Sequence, residues 1–430
     1  MNDHPFHLAV MYPHGHDAQW SASSPGSQTD PAALRHMAGT AERGLFDFFL
    51  LAESLRLPEH HGLLEEYGQV GRPEPITALS ALAATTRRIG LAATLSTTYN
   101  EPGDVAHRLA SLHRLSEGRC AWNIVTDPSP AIGANFRCGP YLPPEQRYLR
   151  ATHFTRATRR RWAAGDLAAG APPADPSATA LRPPRQPRHP VGDDGPGDPV
   201  LIQAGNSGEG RDFGASTADV VFGLPGPLSY AAEFADDIKR RARAHRRDPG
   251  HVKVMHGAGW ALGATREQAW EKARETRRAQ TSPTAAVAFL ERIWQRDLSG
   301  LDPDGPLPSQ EPADPADGEL VQRWRSLAEA RRLSVRDLVI HLKGPLTFVG
   351  TPSGVADEIA RHARNTAVDG LVLLPSTAPE GLDDFVDDVL PLLQERGICR
   401  SEYTATTLRG HLRLPQSLRH RTLDQEGNRS

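Results

Sequence analysis

Residues 72–127 read RPEPITALSALAATTRRIGLAATLSTTYNEPGDVAHRLASLHRLSEGRCAWNIVTD, and this stretch decides the fold. A helical pattern at Ile76, Leu79, Leu82 and Ala83 leads into a β-rich run at 89–98. A second helical stretch follows, then a second run at 120–126. Strand, helix and strand joined by short links form the unit of a parallel sheet. Both runs end in polar residues, Ser96-Thr97-Thr98 and Asn123 to Thr126. In a (β/α)8 barrel the C-terminal strand ends carry ligands and chemistry.

The same alternation extends to both sides. Further strands are expected at 6–12, 46–53, 199–205, 219–224, 252–262 and 370–374, with helices between them. The run FDFFLLAE at 46–53 is almost continuously apolar, the mark of a strand buried on both faces. Eight strands alternating with helices predict an α/β fold, a (β/α)8 TIM barrel with insertions. An open doubly wound sheet is the alternative; it would favour a G-x-G-x-x-G turn after the first strand, and none is present. The expected organisation is one barrel domain over 1–400, with irregular excursions at about 165–198 and 282–334 and a patternless tail at 401–430. The first excursion is crowded with Pro, Gly, Ala and Arg; the second contains SGLDPDGPLPSQEPADPADG.

Composition narrows the function class. The 430 residues carry 49 basic and 52 acidic side chains, a formal net charge of -3, which gives no electrostatic footprint for nucleic acid or an anionic membrane. Cys120, Cys138 and Cys399 form no C-x-x-C pair, so a reducing compartment and no metal site are expected. No apolar run reaches about 18 residues, and the N-terminal stretch lacks a cationic start followed by an apolar core. These features predict a cytoplasmic protein with no membrane contact.

Several strand ends hold candidate chemistry. AGNSGEGRDFG, at 204–214, follows a buried strand and opens a helix, the physics of a phosphate cradle, with Asn206 and Ser207 at its edge. Ser207 as a plain N-cap is the competing view. Thr94, Ser96, Thr97, Asn123 and Thr126 could line a flat heteroaromatic ligand or bond only to local backbone. Tyr148 could offer its hydroxyl to a phosphate or sit as a half-buried aromatic. His14 and Glu53 are the acid–base candidates; burial at the barrel rim would raise the Glu53 pKa.

Taken together, RPEP-TALSALA, RIGLAATLSTTYNEP, AWNIVT, NF, LPPEQRY, PVLIQAGNSGEGR and VGTPSGVADEI resemble one family over about residues 6–400. It is the bacterial-luciferase-like flavin-dependent monooxygenases of the nitrilotriacetate, dibenzothiophene-sulfone, pristinamycin-synthase and long-chain alkane monooxygenase group. The resemblance implies reduced FMN supplied by a separate flavin reductase, with O2 adding at flavin C4a to oxygenate a small organic substrate. It also implies a homo-oligomer, dimer or tetramer. By position, Glu53 falls at a flavin-side carboxylate, Thr94 resembles a flavin-ring contact, and Tyr148 and Ser207 resemble phosphate contacts. Asn123 and Thr126 lie in the W-N-V-V-T strand end, and Asn206 precedes Ser207. The chain departs from the family pattern at Glu53, Asp127, Arg137 and Pro144. Two alternatives follow: a diverged barrel with altered or weak flavin use, or a deazaflavin-dependent oxidoreductase.

Overall fold

The computed structural model describes residues 6–13, 18–20, 28–56, 59–60, 63–64, 72–127, 130–133, 135–136, 142–166 and 197–415. His14, Arg137 and nearly all of the 165–198 excursion lie outside these residues, as does the chain beyond 415.

Eight parallel strands close into a barrel in chain order: β1 (His7–Met11), β2 (Phe48–Leu51), β3 (Gly90–Ser96), β4 (Cys120–Val125), β5 (Val200–Gln203), β6 (Val220–Gly223), β7 (Lys253–Ala258) and β8 (Gly370–Leu373). β8 pairs back onto β1, with His7 opposite Gly370 and Val10 opposite Leu373. All eight expected strands are present. The seventh is shorter than 252–262, because Trp260–Leu262 leaves the barrel and pairs with Phe348–Gly350.

The two faces of each strand do different work, as a period of two requires. Ala9, Phe48, Leu50, Ala92, Ala121, Val200, Ile202, Val220, Phe222, Met255 and Val372 fill the barrel interior. Their neighbours, among them Val10, Phe49, Leu91, Leu95 and Trp122, face the helices. Helix starts are chemically marked. Asp30 caps helix Pro31–Arg43, and Glu74 accepts from Ile76 N and Thr77 N ahead of helix Pro75–Ala83. The buried Arg119 guanidinium donates to the carbonyls of Ala83, Thr86, Ile89 and Ser116 and to Thr86 Oγ1. It thereby ties two helices to the start of β3 without leaving a buried donor unpaired.

Within the stretch after 400, residues 401–415 are described and pack against the barrel. Leu408, Leu412 and Leu414 join the interior cluster and close the barrel floor. Arg409 pairs with Asp219 at 2.8 Å and Arg400 pairs closely with Asp47, so two buried carboxylates at strand starts find their cations here. Tyr403 Oη donates to Phe46 O. Gly90 permits the approach: a Cβ there would lie 2.7 Å from Leu408 and 2.8 Å from Asp47 O.

The 282–334 excursion, expected to be irregular, carries a helix on either side of a stretch, 299–314, that is irregular as expected. Helices Pro283–Trp294 and Gly318–Arg331 share a small core of Ala286, Val287, Leu290, Trp294, Leu298, Val321, Val335 and Val339. The Pro-rich link between them is pinned by Trp294 Nε1 and Arg325, which both donate to Gln310 O.

Candidate functional site

The C-terminal ends of β2 to β5 bring most of the singled-out residues to one mouth. Thr94 and Ser96 continue the inward face of Ala92, and Asn123 continues that of Ala121. One layer below the rim, Asn123 Nδ2 donates to Thr94 Oγ1 at 3.0 Å. Asn123 Oδ1 is buried with no hydrogen-bond partner among the described residues. A buried acceptor left open at a cavity mouth is suited to an incoming donor.

At the rim, Ser96 N–H donates to Glu53 Oε2 at 2.9 Å. The Ser96 hydroxyl accepts from Thr98 N and bonds to Asp127. Burial pushes the Glu53 carboxyl up from its ordinary 4.5 to about 7; the Ser96 bond opposes this, and nearby Asp127 adds to it. Burial also raises Asp127, against the pull of the Ser96 hydroxyl and Arg147. Asp127 itself sits at positive φ (24°), a region that Asp and Asn enter more readily than most residues.

A second centre lies at the end of β5. Ser207 caps helix Gly208–Thr217, its Oγ accepting from Gly210 N at 3.1 Å. That bond uses a lone pair and leaves the hydroxyl proton able to donate outward. A Cβ on Gly210 would lie 2.7 Å from Tyr148 Oη and 3.2 Å from Ser207 Oγ. The two hydroxyls therefore converge on one glycine at a helix N-terminus. Asn206 is held by its neighbours: its Oδ1 accepts from Tyr230 Oη and its carbonyl from Arg211 Nε, both at 3.1 Å. Thr126 contributes its carbonyl to Thr98 Oγ1 at 2.8 Å.

The sequence did not single out Tyr99 and Phe136 as a pair; their rings stack at 4.8 Å beside the mouth. Asn135 Nδ2 donates to Leu55 O, which fixes Phe136 near the loop after Glu53. Arg150 holds the loop after β3 through Thr97 O and Asn100 O. Loop aromatics carry no periodic signal, so only the fold reveals them. A cavity of about 510 Å³ lined by Asp357, Arg361, Arg364 and Arg396 lies elsewhere. It sits at the C-terminal end of helix Pro352–Asn365, which leads into the start of β8, opposite the mouth.

Comparison with known proteins decides the family. The model for luciferase-like monooxygenases matches residues 6–370. The chain belongs to the luciferase-like monooxygenase family. This luciferase-like monooxygenase is 35% identical to N-acetyl-S-(2-succino)cysteine monooxygenase of Bacillus subtilis (strain 168), covering 89% of each chain. It is 31% identical to dibenzothiophene-sulfone monooxygenase of Rhodococcus erythropolis, covering 96% of each. Among solved structures it resembles riboflavin lyase, determined with modified FMN and riboflavin, at TM-score 0.72 and 26% identity over 95% of each chain. It is thus a flavin-dependent monooxygenase of the two-component type, which takes reduced flavin from a separate reductase and uses O2 to oxygenate an organic substrate. Among the described residues no helix is long and apolar enough to cross a membrane. Nor is any group of three or more His, Cys, Asp or Glu side chains among them placed to hold a metal ion.

Proposed function

We propose that the flavin is FMN, with its phosphate at the Ser207–Gly210 turn and its ring along Thr94 and Asn123. The observation that carries this reading is the convergence of Tyr148 Oη and Ser207 Oγ on Gly210, in a space that a Cβ would fill. A helix N-terminus with two hydroxyl donors and a bare backbone suits a phosphate dianion. The buried open acceptor of Asn123 Oδ1 fits the N–H edge of a flavin ring. Asn206 shapes the turn through Tyr230 and Arg211, and the Thr126 carbonyl fixes the loop after β3.

When bound, reduced FMN would supply the electrons that activate O2. The chain's own residues position it, exclude water and manage protons. Leu95, Trp122 and Ile124 pack behind the ring-side strands and back the wall. Glu53, raised by burial, is the rim group best placed to hold a proton near neutrality. The Asp127 carboxyl is engaged by Ser96 beside Glu53, on the β2–β4 side of the mouth, which limits its repulsion of a phosphate on the β5 side.

The substrate pocket would be walled in part by the Tyr99–Phe136 stack. Cys120 and Cys399 are free and buried, in keeping with a cytoplasmic setting. Family likeness supports a homodimer or homotetramer, to be checked by light scattering. Anaerobic titration with reduced FMN and with reduced deazaflavin tests the cofactor assignment. Micromolar FMN binding and no deazaflavin binding are expected, and the reverse order would refute it.

A further inference from the structure

We propose that Glu53 and Asp127 form one acid–base pair, joined through Ser96, which shares a single proton and meets the substrate at the barrel mouth. Its use in oxygenation rests on the function proposed above; the pairing itself does not. The geometry supplies the argument. Ser96 is fully buried and holds both carboxyls, Glu53 through its backbone N–H and Asp127 through its hydroxyl. Because the Ser96 hydroxyl already accepts from Thr98 N, its proton is free to point at Asp127. Two half-buried carboxylates beside one residue do not both ionise readily.

The surrounding charges decide which member keeps the proton. Arg147, from helix Pro144–Arg161, favours the ionised form of Asp127. Glu53 feels Arg108 and Glu74, but these two form a close ion pair with each other and largely cancel. Arg72 donates to the Glu53 carbonyl at 3.5 Å. The proton therefore resides on Glu53, and Asp127 stays the carboxylate. Asp127 Oδ2 is buried with no hydrogen-bond partner among the described residues. The pair thus presents a donor, the Glu53 O–H, next to an open acceptor. A substrate with an N–H or O–H beside its oxygenated atom would match both. A second carboxylate at that point would be repelled.

The deciding experiment is a carboxyl ¹³C NMR titration of the flavin-free protein, with Glu53→Gln used to assign the Glu53 signal. Glu53 is expected to titrate near 7. In Asp127→Asn, which retains a residue tolerant of positive φ, its midpoint should fall by about one pH unit. The pH profile of kcat/KM should move by the same amount in that variant. Titration of Glu53 in the ordinary carboxylate range in the parent protein would overturn the pairing, without any variant. So would an unmoved midpoint in Asp127→Asn. Failure to bind FMN would refute the cofactor assignment while leaving this titration intact, so the two failures are distinguishable.

Discussion

Asn123 Nδ2 donates to Thr94 Oγ1 across β3 and β4, and the bond leaves Asn123 Oδ1 as a buried acceptor with no partner among the described residues. Thr94→Val keeps the shape and removes the acceptor for Nδ2. The amide then loses its fixed orientation. An unsatisfied buried donor costs about 1–3 kcal/mol. Urea unfolding should show that loss, and flavin affinity should drop by about tenfold. Unchanged affinity with reduced stability would confine this pair to a structural role.

Gly210→Ala should fill the phosphate cradle, because its Cβ would lie 2.7 Å from Tyr148 Oη. Tyr148→Phe removes one hydroxyl and adds no bulk. Both variants should weaken FMN and leave riboflavin binding nearly as it was. Isothermal titration of each flavin checks this, and an equal loss for both flavins would place the effect at the ring.

Glu53 links pH to stability. Its folded-state pKa of about 7 exceeds the ordinary 4.5, so the folded protein holds the proton more tightly than the unfolded chain. That contribution is complete below about 4.5 and is lost as pH rises through about 7. Glu53→Gln should therefore be more stable than the parent at pH 8, on the order of 1–2 kcal/mol after solvent screening, with the advantage shrinking toward pH 5. Thermal melts across this window decide; parallel pH curves would contradict the account.

The barrel floor depends on the segment after 400. Leu412 is fully buried among inward-facing strand residues, so Leu412→Ala should cost about 2–5 kcal/mol. Arg409→Met leaves Asp219 buried and unpaired, with an expected loss of about 3–5 kcal/mol. Chemical denaturation measures both, and wild-type stability in either variant would mean that the plug is dispensable.

The strands were legible because each is a short apolar run closed by polar or glycine signals, as FDFFLLAE and PVLIQAG show. The Ser207 turn was legible too, since a glycine-rich loop after a strand has a direct physical meaning. The floor segment was not. Leu408, Leu412 and Leu414 span too few residues to display a period, and their partners Asp47 and Asp219 lie far away in sequence. The 282–334 helices were masked by the Pro and Asp residues of their link, although Val287, Leu290 and Trp294 carry helical spacing. Asp127 registered as a charge near the site; only the folded arrangement shows it sharing Ser96 with Glu53.

The central claim, an FMN site built on Tyr148 and Ser207, is tested most directly by comparing reduced FMN with reduced riboflavin under anaerobic conditions. The parent protein should bind FMN at micromolar concentration and riboflavin at least about tenfold more weakly, the worth of a charge-assisted phosphate contact. Ser207→Ala should close most of that gap. Equal affinity for the two flavins, or a gap untouched by Ser207→Ala, would contradict the account.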